Sequence, residues 1–177
     1  MSDGNLIAVS AIGRDRPGIA AGVTKVLFDA GANLEDATST ILRGHFTMTL
    51  IVRTPTEVTA DRLESDLEAV AREMGLVVSA RPVDEGSSAI DEPTHMVSVY
   101  GADRPGIVYR VTETLARLGC NVTDFTSRMI GDAAAPVYAL LLEVSTENPA
   151  ALAGELDELR GELEVDISVH PIDADVF

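Results

Sequence analysis

The sequence predicts an α+β protein of two tandem βαββαβ units, each a four-stranded antiparallel sheet with both helices on one face. Three observations lead there. The chain repeats itself at an offset of 88: Gly13–Ile19 reads GRDRPGI and Gly101–Ile107 reads GADRPGI, and 14 of 27 ungapped positions are identical between 13–39 and 101–127. Each repeat alternates short runs rich in β-branched residues with apolar stripes at helical spacing. Glycines fall where those runs must turn.

Leu6–Ile12 and Met96–Tyr100 are the opening strands, each ended by a glycine. A helix follows in each repeat, because Ile19, Val23, Val26, Leu27 and Ala30 recur on one helical face, as do Ile107, Val111, Leu115 and Leu118. Gly31 and Gly119 stand where a glycine ends a helix. Two strands come next, Asn33–Leu42 with Phe46–Val52 and Asn121–Ile130 with Val137–Val144, turning at Gly44 and Gly131. A four-residue insertion in the second repeat sets Phe46, Met48, Leu50 and Val52 against Tyr138, Leu140, Leu142 and Val144. Leu63, Leu67, Val70 and Met74 make the second helix, matched by Leu152, Leu156 and Leu159 after Pro149. Val77–Val83 and Val165–Ile172 close the two units as strands. The expected domains are 1–84 and 95–177, joined by an acidic, small-residue linker over 85–94.

Charge narrows the function classes. The 177 residues carry a net charge of −16, and neither half is basic: 8 basic side chains stand against 13 acidic ones in 1–88, and 5 against 16 in 89–177. Such a field repels phosphate backbones and anionic lipid, so direct nucleic-acid or membrane binding is not expected. Aromatic residues are 4% of the chain and Trp is absent, which leaves little for base stacking. Arg43-Gly44-His45-Phe46 begins like the third-strand signature of RNA-reading plaits, but Thr47 and Met48 follow and the second repeat has no counterpart. Cys120 is the only cysteine, so no intrachain disulfide is possible. Residues 1–13 lack a basic n-region and a long apolar stretch, and the expected location is the cytoplasm.

Catalysis and metal chemistry have little to stand on. His45, His95 and His170 are far apart in sequence, without a ligand spacing, and no cofactor or metal is expected. Cys120 takes the place of Ala32 and reads as packing, while Asp157, Glu158, Glu162 and Glu164 read as a solvated helix face. What the repeats share is a bend. Pro17 and Pro105 fit the first helical position, and the glycine after each lets a ligand approach free helix amides, a natural seat for a carboxylate. Asp15 could meet an ammonium, or simply cap the helix. Asn33 and Asn121 follow the helix-ending glycines and offer both donor and acceptor, although Asn is also an ordinary turn residue.

The phrase G-x-D-R-P-G-I, a Val/Leu stripe, then G-x-N-h-x-D resembles the ACT domain, and the tandem pair looks like the glycine cleavage system transcriptional repressor family. The resemblance implies ferredoxin-like units and a non-enzymatic regulator. A small amino acid, glycine or serine, would sit between the first loop of one ACT unit and the second strand of a neighbour. By position it nominates Asp15, Arg16, Gly18, Ile19 and Asn33, with Asp103, Arg104, Gly106, Ile107 and Asn121 in the second repeat. It also implies ACT pairing, within a chain or as a homodimer, and a regulatory partner protein. The repeats differ where Ala102 replaces Arg14 and where 131–136 lengthens one hairpin. The alternative is an interaction module without a ligand, docking through a mixed sheet face that carries Ser10 with Ile12 and Ser98 with Tyr100.

Overall fold

The computed structural model describes residues 4–84, 92–132 and 136–172. The chain divides into two compact units, residues 1–88 and 89–177. In the first, β1 (Asn5–Arg14), α1 (Ile19–Asp29), β2 (Asn33–Leu42), β3 (His45–Thr54), α2 (Ala60–Met74) and β4 (Leu76–Pro82) follow in order. The second repeats them as β5 (His95–Gly101), α3 (Ile107–Arg117), β6 (Asn121–Ile130), β7 (Val137–Ser145), α4 (Pro149–Leu163) and β8 (Asp166–Pro171). The sheets run β2-β3-β1-β4 and β6-β7-β5-β8, with every neighbouring pair antiparallel. These are the two βαββαβ plaits that the repeat predicts.

Alternation decides which face is buried. Ile7, Val9 and Ala11 on β1 and Leu50 and Val52 on β3 are at most 1% exposed and meet Val23, Leu63 and Leu67 from the helices. Ser10 and Ile12 turn to the opposite, helix-free face. Val97, Val99, Leu140 and Leu142 do the same work in the second unit against Val111, Leu152 and Leu156. Cys120 lies in that core, and Phe46 packs on the core side of β3, where no base could stack on it. The edge strand β2 is exposed along its whole length. No helix among the described residues is long and apolar enough to cross a membrane.

Where strand limits differ from expectation, close packing is the reason. A glycine after Ile12 reads as a stop, yet β1 runs on to Arg14. Gly13 is needed there because a Cβ would lie 2.6 Å from Leu76 Cδ2 and 2.8 Å from the Gly75 carbonyl oxygen. Gly101 is the counterpart, with Val165 Cγ1 at 2.7 Å. The last strands begin and end about one residue from the expected limits, but the Val83 N–H still donates to Leu6 and the Ile172 N–H to Thr94, both at 2.9 Å. Thr94, at the end of the expected linker, also donates its N–H to the Val144 carbonyl, and 85–91 lie outside the described residues. So do 133–135 of the lengthened hairpin. The first hairpin closes on Arg43 (φ 48) and Gly44 (φ 78), the two positive φ values of a type I′ turn.

The helix pairs are held differently in the two units. In the first, Gly22 lets α1 lie close on α2, since a Cβ there would be 2.8 Å from Val70 Cγ2. Arg110 stands at that position in the second and pairs with Glu162, Arg117 pairs with Glu155 (2.5 Å), and Arg104 in the loop before α3 pairs with Glu164 (2.8 Å), the residue after α4. The Glu155 carboxyl is held below the usual glutamate range by its hydrogen bond from Arg117 and by that residue's charge. A depressed carboxyl supports the fold above its unfolded pKa, and that support is lost as pH falls through the folded value. Exposed pairs contribute little to stability. Arg117→Met is therefore expected to return the Glu155 titration, followed by NMR, to the ordinary range, with little change in Tm at neutral pH.

Candidate functional site

The loop after β1 is built by three constraints, of which the first and the last recur after β5. Gly13 admits the α2–β4 corner beside the end of β1. The Asp15 N–H donates to the Gly44 carbonyl at 2.8 Å, fastening the loop to the tip of the β2–β3 hairpin. Gly18 (φ 97, ψ −8) and Gly106 (φ 99, ψ −12) are left-handed and cap α1 and α3, whose first residues are Ile19 and Ile107. Pro17 is thus not the first helical residue, as its sequence position predicts, but lies two residues before it. Proline followed by a glycine with these angles fits the centre of a type II turn, which swings the chain into the helix.

That turn leaves the start of the helix bare. No side chain caps α1 or α3, and neither has an acidic residue in its first turn. The other two helices are finished in the ordinary way: Thr59 Oγ1 accepts the Arg62 N–H at 3.3 Å, and Asn148 Oδ1 accepts the Ala151 N–H at 3.1 Å. In α1 the first backbone bond runs from the Gly22 N–H to the Gly18 carbonyl, and in α3 from Arg110 to Gly106. The amides of Gly18, Ile19, Ala20 and Ala21, and of Gly106 through Tyr109, precede it and have no partner within their helix. Four bare N–H groups at the positive end of a helix dipole suit an anionic group such as a carboxylate.

The nominated residues divide into those the fold gathers and those it separates. Asp15, Arg16 and Gly18 share the loop, as do Asp103, Arg104 and Gly106. Asp15 does not cap α1, so the capping alternative is not realised. The side chains of Ile19 and Ile107 are 2% exposed and belong to the cores, leaving only their N–H groups for the loop. Arg16 makes no ion pair among the described residues, whereas Arg104 is tied to Glu164, a residue held at φ 51 where the first unit has Gly75. Asn33 and Asn121 are exposed and open β2 and β6, beyond the far ends of α1 and α3. Eleven helical residues put roughly 16 Å between the two ends, so one unit cannot close both its loop and its own Asn on a small ligand.

Two neighbours of the loop were not read from the sequence as part of this site. Arg14 pairs across the sheet with His45, and Arg43 precedes the Gly44 that holds Asp15, so the first unit gathers Arg14, Arg16, Arg43 and His45 at one end. The signal was available in the strand pairing: an antiparallel β1–β3 pair must bring the β2–β3 turn back to the end of β1. The described residues hold no group of three or more His, Cys, Asp or Glu placed to bind a metal ion.

The ACT domain family profile matches residues 5–81 and again 94–170. The glycine cleavage system transcriptional repressor of Escherichia coli is 24% identical over 156 residues, which are 85% of this chain and 79% of that protein. The phosphoserine phosphatase SerB2 of Mycobacterium tuberculosis is 30% identical over 171 residues, 92% of this chain but 40% of the phosphatase. Among solved structures, an unknown protein from Galdieria sulphuraria superposes with a TM-score of 0.80 at 25% identity, covering 96% of this chain and 99% of that one.

Proposed function

The chain belongs to the ACT domain family, and we propose that it is a non-catalytic regulator whose ACT units bind a small amino acid and pass its occupancy to a partner protein. The observation that carries this is the pair of bare helix starts at Gly18 and Gly106, in a protein whose other two helices are capped by side chains. The ligand's carboxylate takes the free amides, and Asp15 or Asp103 faces its ammonium. An Asn at the position of Asn33, brought by a second ACT module from this chain or another copy, completes the seat. Glycine and serine are the first candidates, since the relatives include a repressor of glycine cleavage and a phosphatase of phosphoserine.

A ligand that a module pair binds better in one arrangement shifts the pair toward it, with a coupling of about 1–3 kcal/mol. That coupling reaches amino-acid metabolism or transcription through the partner, because a net charge of −16 opposes direct contact with DNA. Docking without a ligand is the competing reading, favoured by the exposure of Ile12, Leu42 and Val77 on the first unit. Calorimetric titration with the twenty amino acids separates the two. We expect heat from a small amino acid, lost in Asn33→Ala with the circular dichroism unchanged. Absence of heat for all twenty overturns the sensor and leaves the docking module.

A further inference from the structure

The helix-free face of the second unit holds a concavity of about 420 Å³, independent of the loop seats. Small Ala139 makes its floor, between Tyr100 on β5 and Arg128 on β6, which are its register partners. Met96 and Leu141 add apolar wall, and Asp124, Glu143 and Arg128 stand around it. The volume falls within the range of roughly 300–1,000 Å³ usual for small-molecule sites. The same face of the first unit offers a hollow of about 90 Å³, because Thr47, Thr49 and Ile51 replace Ala139, Leu141 and Glu143, and Thr40 replaces Arg128.

The charged side chains of this concavity make no ion pair among the described residues. Asp124 and Glu143 are direct cross-strand partners, an arrangement of like charges that destabilises a sheet. Neither carboxylate has an ion-pair partner among the described residues, and Arg128 has none either, although every other arginine of this unit is paired. Ser98 lies between Met96 and Tyr100 on this face, since Val97 and Val99 point into the core. It is 8% exposed, and its hydroxyl makes no hydrogen bond among the described residues. Two facing carboxylates call for a cation, and a lone guanidinium along the same strand calls for a carboxylate. Arg128 lies four residues beyond Asp124 along β6, about 13 Å between their Cα atoms, and the arginine side chain spans a good part of that.

We propose that this face binds an ω-amino carboxylate: a protonated amine between Asp124 and Glu143, a carboxylate on Arg128, and an aliphatic body over Ala139 and Leu141. The test is NMR titration of the full chain with 6-aminohexanoate, hexanoate and 1,5-diaminopentane. None of these is an α-amino acid, so failure here is distinct from failure of the loop seat. The expected result is that 6-aminohexanoate shifts β6 and β7 amides and binds at least tenfold more tightly than hexanoate, which lacks the amine, or 1,5-diaminopentane, which lacks the carboxylate. Glu143→Gln and Arg128→Gln each weaken it tenfold or more. Glu143→Gln also leaves Tm unchanged or higher, because it relieves the facing charges, and a purely structural carboxylate would lower it. Ala139→Leu fills the floor and abolishes binding. The proposal is overturned if 6-aminohexanoate does not bind at millimolar concentration, or if it binds Glu143→Gln or Arg128→Gln as it binds the parent.

Discussion

Gly18→Val is expected to abolish amino-acid binding at the first loop, a loss of at least a hundredfold, and to destabilise the first unit by about 1–3 kcal/mol. Space is not the cause. A Cβ at Gly18 would lie 3.7 Å from Met74 Cε, an ordinary contact. Conformation is the cause: φ 97 lies where a β-branched residue is a true outlier, so valine must either bear the strain or pull the loop out of its turn. Either outcome moves the bare amides. Gly18→Asn separates strain from chemistry, because Asn tolerates positive φ and its side-chain oxygen can accept from the first turn of α1. This variant is expected to fold with a Tm near the parent's and yet bind weakly, the new cap occupying the amides that the ligand needs. Calorimetry with thermal denaturation reads both quantities. Parental affinity in Gly18→Asn would remove the amide seat from consideration. Gly106 has the same backbone geometry, with no atom within 4 Å of an added Cβ. Any difference between Gly18→Asn and Gly106→Asn therefore reports on the neighbours, Arg16 without an ion pair among the described residues against Arg104 tethered to Glu164.

The fold was legible because repetition and periodicity are properties of single residues in order. Val9 and Ala11, or Leu63 and Leu67, announce their faces without knowledge of any partner. Even the core position of Cys120 follows from its match to Ala32. Less legible was anything decided by approach between distant segments. Gly13 looks like a strand stop and is instead the place where Leu76 comes within reach. Pro17 looks like a helix start, but the conformation of Gly18 puts it in the preceding turn. The site divides along the same line. Its loop residues are consecutive and were read directly, whereas the separation of Asn33 from Gly18 depends on the length and direction of α1. The proximity of Arg43 and His45 depends on strand pairing, and the floor at Ala139 depends on a pairing that sets this small residue between Tyr100 and Arg128, where the first unit sets Thr47 between Ile12 and Thr40.

Leu67→Ala is expected to cost about 2–5 kcal/mol, the range for a large-to-small change in a tight core. Leu67 is fully buried in the cluster that also holds Val23 and Leu27 of α1, so the cavity opens in the core that supports the helix whose start is the proposed ligand seat. Total stabilities of roughly 5–15 kcal/mol make this a large fraction of what the first unit has. Phe28→Ala on the same unit, at 80% exposure, is the control and should stay within about 0.5 kcal/mol. Urea denaturation followed by circular dichroism measures both. The functional consequence differs in kind from that of Gly18→Val. Cavity formation lowers the folded population but leaves the bend at Gly18 intact within it, so a ligand specific for the native state restores stability by RT ln(1 + [L]/Kd). Saturating amino acid should therefore raise the Tm of Leu67→Ala by nearly as much as it raises the parent's, and should leave the Tm of Gly18→Val where it was. If both variants are rescued equally, the ligand is held somewhere other than the start of α1.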